Sequence, residues 1–266
     1  MSSQSTTNKK AGTVKAEMNS TEKDCPFEQL EQRRATLPEN PKVVAIIPAF
    51  NEEERITATI NAVKAIPEVN RIVVIDDGSK DGTAQLAVDA GARVIRSTRN
   101  VGKGPVLEHA AKQHEDADIV LLLDADLAGT ASQASDLLNP VLRGEVDMTI
   151  ARFPRPTAKA GFGLVKSLAR FEIRRAGGKD EDFQAPLSGQ RAVTQACLTH
   201  IRPFARGYGV EVSLTVRALR AGYRVREIET TMAHKATGRN LRGFFHRGKQ
   251  FRDVLGAVIL LNLKRK

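Results

Sequence analysis

Residues 42–56 read KVVAIIPAFNEEERI. The unbroken apolar run predicts a buried strand from about Val43 to Ile47. Past the proline and the run of glutamates, Ile56, Ile60, Val63 and Ile66 fall on one face at helical spacing. A strand with no polar alternation is buried on both faces, which is the habit of parallel sheets covered by helices.

The same alternation continues along the chain. "RIVVIDD" reads as a second strand, and "DGTAQLAVDAG" as a helix with Asp81 as N-cap and Gly91 just past its end. "ARVIRS" is a third strand, followed by a helix from about Gly104 to His114. "DIVLLLD" is a fourth strand; another helix and the strand "VDMTIAR" complete the series. Strands alternating with helices imply right-handed crossovers and an α/β class with a mostly parallel sheet. Ligands of such sheets collect at the carboxyl ends of the strands.

Residues 1–40 are polar and end in "LPENP", which predicts a flexible tail and a Pro-marked boundary. After Ala151 the pattern loosens. A basic helix-like stretch at 160–176, a loop, and short helices at 190–200 and 211–221 are expected, then an amphipathic helix from about Leu241. The expected organisation is a tail at 1–40, a catalytic domain at 41–240 with halves near 41–150 and 151–240, and a basic terminal helix at 241–266.

The two cysteines, Cys25 and Cys197, are too few for a disulfide framework or a zinc cluster. The polar first 20 residues have no apolar signal core, and no run reaches the roughly 18 apolar residues of a membrane span. The expected location is the cytoplasm, with peripheral attachment to the inner face of the membrane left open. The net charge is +10, and residues 235–266 hold nine Lys or Arg against one acid, Asp253. Such a surface would attract nucleic acid, anionic lipid or phosphorylated small molecules, or is a solvated basic face with no partner. The terminal helix would either lie on anionic lipid or pack on the sheet with a solvated basic back. No nucleic-acid motif is present.

Acidic residues recur where strands end: Glu52 after the first, Asp76 and Asp77 after the second, Asp124 and Asp126 after the fourth. Clustered carboxylates repel unless a cation or hydrogen-bonding ligand offsets them. Oxygen ligands in an open site suit Mg²⁺ or Mn²⁺, which would in turn hold a diphosphate. A lone D-x-D is a weak signal, equally a solvated turn after a strand.

Taken together, "VVAIIPAFNEEERI", "IVVIDDGSKDGT", "NVGKGPVL" and "LLLDADL" resemble, in order, the motifs of family 2 type glycosyltransferases of the GT-A fold. The second half is similar to two branches of that superfamily. "DFQAPLSGQRAV" resembles the polyprenyl-phosphate (dolichol-phosphate mannose synthase-like) enzymes. "GYGVEVSL" with the His of "MAHKATGR" resembles the glucosyl-3-phosphoglycerate synthase group. The resemblance implies a GT-A, Rossmann-like nucleotide-binding sheet and transfer of a sugar from a nucleotide diphosphate sugar. The acceptor would be a hydroxyl or a phosphate, a lipid phosphate included.

The resemblance also implies roles. Pro48, Ala49, Asn51 and Glu52 would border the nucleotide, and Asp76 or Asp77 would bind base or ribose. Gly78 and Ser79 would allow close approach of the ligand, and Lys103, between Gly102 and Gly104, would meet nucleotide or phosphates. Asp126 would hold the metal, with Asp124 next and His234 or Gln184 as a further ligand. Glu211 would take a proton from an acceptor hydroxyl or position groups around a phosphate. Ser188 and Gly189 would form a turn near the acceptor, and Arg191 or Arg239 would pair with an anion. A sugar-nucleotide pyrophosphorylase and a non-catalytic binding module are the alternatives. The former would need a Gly-rich loop where this chain has "PAFNEEE".

Overall fold

The computed structural model describes residues 36–154, 163–177, 183–205, 207–233, 253 and 255–257. Its strands are β1 (Val43–Ala49), β2 (Val69–Asp76), β3 (Arg93–Arg96), β4 (Ile119–Leu122), β5 (Met148–Arg152), β6 (Arg191–Thr194) and β7 (Val225–Glu229). They form one sheet in the order β3-β2-β1-β4-β6-β5-β7. The first half is parallel throughout: β1 pairs with β2 and β4, and β2 with β3. β6 is inserted antiparallel between β4 and β5, while β7 runs parallel to β5. Both halves of the expected domain therefore share one sheet.

The helices are α1 (Ile56–Lys64), α2 (Thr83–Asp89), α3 (Lys103–Gln113), α4 (Ala134–Leu142), α5 (Gly163–Arg175), α6 (Gln195–Ile201) and α7 (Val210–Arg220). Alternate residues of a strand point to opposite faces, so each strand feeds two cores. Val44, Ile46, Val73, Ile75, Val120 and Leu122 pack under Val106, Leu107 and Ala110 of α3 and under α5, α6 and α7. Val43, Ala45, Ile47, Val74, Ile119 and Leu121 pack under Ile56, Ile60 and Val63 of α1 and Leu137, Leu138 and Val141 of α4. Each fully buried Ile or Leu contributes about 1.5–3 kcal/mol, so a sheet covered on both faces is a rigid platform.

The chain leaves β1 toward β2 and β3, then returns to place β4 on β1's other side. The strand order reverses between β1 and β4, and there the carboxyl ends open a crevice. Two expectations are corrected. Residues 190–200 are not one helix: Arg191–Thr194 is the inserted strand, and α6 begins at Gln195 with Thr194 as its N-cap. β7 was not expected, because "VREIE", at the edge of the sheet, carries three charges in five residues and its two apolar positions are three apart, which breaks the strand period of two. The helix expected from about Leu241 lies mostly outside the described residues. Asp253 and residues 255–257 are helical, and Asp253 and Ala257 pack against Gly207 and Gly209. No described helix is long and apolar enough to cross a membrane.

Candidate active site

The loop after β1 is fixed by its polar side chains. Asn51 adopts a positive φ of 56°, which asparagine tolerates better than most residues. Its N–H donates to Ser79 Oγ at 2.9 Å, and its Oδ1 accepts the Lys80 N–H at 3.0 Å. Glu52 donates its N–H to Thr83 Oγ1 at 2.8 Å. The loops after β1 and β2 thus brace one another.

Asp76 and Asp77 are both buried. Asp76 accepts the Ser79 N–H at 2.9 Å and pairs with Arg96 at 3.1 Å. Asp77 accepts the N–H groups of Val101 and Gly102, each at 2.8 Å, one on each oxygen. That carboxylate fastens the loop that opens α3 and so sets where Lys103 begins. Gly78 permits the close approach: φ is +77°, and a Cβ there would lie 2.8 Å from the Arg99 carbonyl carbon.

Lys103 is the hub. Its Nζ lies 2.7 Å from Asp124 Oδ1 at the end of β4 and 3.2 Å from Glu211 Oε1 in the first turn of α7. Asp124 Oδ2 accepts Gln190 Nε2 at 2.6 Å, and Ser188 Oγ donates to Gln190 Oε1 at 3.2 Å. Burial works against the Lys103 charge, but Asp124 and Glu211 outweigh it and hold the ammonium above the ordinary lysine range. Gly189 lies against this pair: a Cβ there would stand 2.4 Å from Lys103 Nζ and 3.3 Å from Asp124 Oδ2.

These groups face one cavity of about 1380 Å³. Of the residues expected from sequence, Pro48, Glu52, Lys103, Asp124, Asp126, Gln184, Ser188, Gly189 and Glu211 line it. Asn51, Asp76, Asp77 and Gly78 shape the loops beside it, and Ala49 is buried at the end of β1. His234 and Arg239 lie outside the described residues.

The expectation that Arg191 pairs with an acceptor anion is corrected. Its side chain is fully buried, donating to the Ser188 carbonyl at 3.1–3.2 Å, the Glu211 carbonyl at 2.9 Å and Thr215 Oγ1 at 2.8 Å. Burial lowers its pKa to about 10 despite the nearby Glu211 and Glu227, and it stays charged at neutral pH. It ties the 188–190 turn to α7 from behind the cavity.

Three residues escaped the sequence. Gln190 follows the expected Ser188–Gly189 turn by one position and shares Asp124 with Lys103. Thr59 is a polar residue on the otherwise apolar buried face of α1. Glu227, on the unexpected β7, accepts the N–H groups of Gln184 and Ala185, each at 2.7 Å, and anchors the cavity's 184–189 wall.

Fold and site define a nucleotide-binding α/β enzyme whose chemistry sits at a sheet switch point. The family described as "Glycosyl transferase family 2" matches residues 44–198. Glycosyltransferase AglJ of Haloferax volcanii is 31% identical over 234 residues, covering 86% of this chain and 73% of its own. Glucosyl-3-phosphoglycerate synthase of Mycolicibacterium paratuberculosis is 30% identical over 195 residues, covering 65% of this chain and 59% of its own. A crystal structure of glucosyl-3-phosphoglycerate synthase from Mycobacterium tuberculosis with Mn²⁺, uridine diphosphate and glucosyl-3-phosphoglycerate superposes with a TM-score of 0.67. The two are 27% identical, and the match covers 88% of this chain and 82% of that one. The chain belongs to glycosyl transferase family 2: it is a glycosyltransferase of the GT-A fold acting on nucleotide sugars.

Proposed function

We propose that this chain transfers a sugar from a uridine diphosphate sugar to a phosphorylated acceptor, assisted by Mg²⁺ or Mn²⁺. The observation that carries the reading is the Lys103 bridge. One ammonium joins Asp124 on the donor side to Glu211 on the far wall, in the cavity that Asp126 also lines.

The donor set fits a divalent ion that arrives with its substrate. Among the described residues, no three His, Cys, Asp or Glu side chains form a cage by themselves. Mg²⁺ is commonly held by one or two carboxylates, with phosphate oxygens and water completing its shell. Asp126 would be the protein's main ligand. Asp124 would be second to it, because its oxygens already meet Lys103 and Gln190. When bound, the ion would offset the negative charge that develops on the departing diphosphate.

The chain's own residues orient the reactants. Lys103, held protonated, adds positive charge beside the leaving group. Asp77 and Gly102 fix its backbone, while Gly189 leaves room for its head group. Glu211 either accepts a proton from an attacking hydroxyl or, with a phosphate oxygen as nucleophile, only positions Lys103.

In this reading Ser188 and Gly189 form the acceptor wall, and the same cavity carries the cations Lys166 and Arg152, the latter paired with Glu229. A phosphate group complements such a wall. Two relatives support an anionic acceptor. The mycobacterial synthase has been solved with phosphoglyceric acid. Undecaprenyl-phosphate mannosyltransferase of Micrococcus luteus is 26% identical over 211 residues, covering 74% of this chain and 86% of its own.

The test is turnover with uridine diphosphate sugars and Mn²⁺, with 3-phosphoglycerate in one arm and a detergent-solubilised polyprenyl phosphate in the other. Transfer in either arm that is lost in Asp126→Ala and on chelation supports the proposal, and the active arm identifies the acceptor source. Undiminished transfer with the metal chelated, or by Asp126→Ala, sinks it.

A further inference from the structure

The D-x-D turn hangs on one buried hydroxyl. Thr59 lies between Ile56, Ile60 and Val63 on the buried face of α1 and is itself fully buried. Its Oγ1 donates its one proton to the Ala125 carbonyl at 2.7 Å and accepts the Ala128 N–H at 2.8 Å. Asp126 sits inside the segment those two bonds close. Arg55 adds a weaker hold, donating from Nη1 to the Asp126 carbonyl at 3.4 Å.

The closed segment is strained. Ala128 has φ 49° and ψ −138°, a combination that suits glycine and disfavours any residue with a Cβ. Such a conformation persists only where its surroundings impose it. The bond from the Ala128 N–H to Thr59 braces it here, beside the bond from Thr130 Oγ1 to the Leu127 carbonyl.

We propose that Thr59 is a positioning residue, which clamps residues 125–128 so that the Asp126 carboxylate is already aimed when a divalent ion and diphosphate arrive. The inference rests on the metal-binding role proposed for Asp126 and adds the group that enforces its direction. α1 also follows directly from the loop carrying Glu52, so one helix joins two walls of the donor pocket.

The measurement is direct Mn²⁺ binding in the presence of UDP, read from the electron paramagnetic resonance of free Mn²⁺. Thr59→Val keeps the side chain's shape but removes both hydrogen bonds, while Thr59→Ser keeps the hydroxyl. Residues that orient a metal ligand typically change affinity 10- to 100-fold, so Thr59→Val is expected to bind Mn²⁺ about tenfold more weakly or worse. Thr59→Ser is expected to stay within about twofold of the parent, and the acceptor KM to stay unchanged in both. Ala128→Val, at a partly exposed position, strains the same turn from its other side without touching the core, and the same weakening is expected. Parent-like binding by Thr59→Val and Ala128→Val, or a Thr59→Ser as defective as Thr59→Val, overturns the clamp. Failure of the parent chain itself to bind Mn²⁺ with UDP overturns the proposed function, and the clamp with it.

Discussion

Lys103 reaches Glu211 across 3.2 Å, joining the first residue of α3 to the first turn of α7. The same ammonium lies 2.7 Å from Asp124. Removing it leaves two partly buried carboxylates facing each other without the cation between them. Lys103→Met is expected to lower kcat/KM at least about 100-fold, the usual scale for losing a charge aimed at a developing anion. Lys103→Arg should not restore activity, because the larger guanidinium has no room beside Gly189. Steady-state kinetics of both variants check this; near-parent rates in Lys103→Met would show that the bridge plays no part in transfer.

Gly189 gives a second test of the same point without altering any charge. A Cβ at this position would meet the tip of Lys103 at 2.4 Å, and that tip is the movable end of a flexible chain. The fold can therefore accommodate Gly189→Ala by swinging the ammonium away. The expected outcome is a fall of about tenfold or more in kcat/KM, with a smaller loss of melting temperature than a backbone clash would cause. Gly104→Ala is the contrast, since its Cβ would lie 2.0 Å from the backbone carbonyl of Ala205. Backbone cannot step aside so easily, so that variant is expected to lose about 1–3 kcal/mol of stability. A thermal melt separates the two: equal losses of stability would disprove the distinction.

The first half was legible because its signals are local. Val43–Ala49 and Ile119–Leu122 are apolar runs that only a two-sided sheet can bury, and the acidic strand ends follow them in sequence. The second half is not local. β6 reads as part of a helix because Arg191 opens it, and that guanidinium is satisfied by the preceding Ser188 carbonyl and by Glu211, Thr215 and Met148, brought in from other elements. Arg191 looked like an anion ligand for the same reason: a sequence shows the charge but not the direction it faces. Gln190 acts through one hydrogen bond, and Thr59 through two, to residues more than 60 positions away, for which no spacing rule exists. Thr59 did leave one trace, a hydroxyl in a helical stripe otherwise built from Ile and Val.

His114 sets a limit on acid stability. It is buried at the end of α3, its Nδ1 lies 3.2 Å from Arg71 Nη1, and its Nε2 has no hydrogen-bond partner. Burial first, then the charges of Arg71 and Arg93, lower its pKa against a smaller opposing effect of Asp116. The folded chain therefore prefers neutral imidazole, while the unfolded chain takes up the proton near the ordinary value of about 6.5. Stability from this group is full above that value and is lost as pH falls from it toward the depressed folded pKa. Melting temperatures should drop as pH falls below about 6.5, and His114→Gln should flatten that limb. An identical acid limb in the variant would assign the loss to other groups.

Glu227 couples acidity in the opposite sense to the 184–189 wall, which is proposed above to meet the acceptor. Its two oxygens accept from the Gln184 and Ala185 N–H groups, so both are needed as acceptors. Burial raises its pKa, and those two N–H groups with Arg152 and Lys166 only partly counter this. Because the folded pKa is the higher one, protonation is favoured by the folded chain. This group's contribution to stability is fully present below the unfolded carboxylate value and is lost as pH rises through the folded value. Acid should thus loosen the 184–189 wall, by turning one acceptor into a donor, without unfolding the protein through this residue. The acceptor KM is expected to rise as pH falls toward the raised pKa of Glu227, while the donor KM stays level. Glu227→Gln, whose amide offers only one acceptor to the two N–H groups, should show a raised acceptor KM of about fivefold to tenfold at every pH and no acid limb. An acceptor KM in Glu227→Gln equal to the parent's at neutral pH would show that the wall does not depend on this anchor.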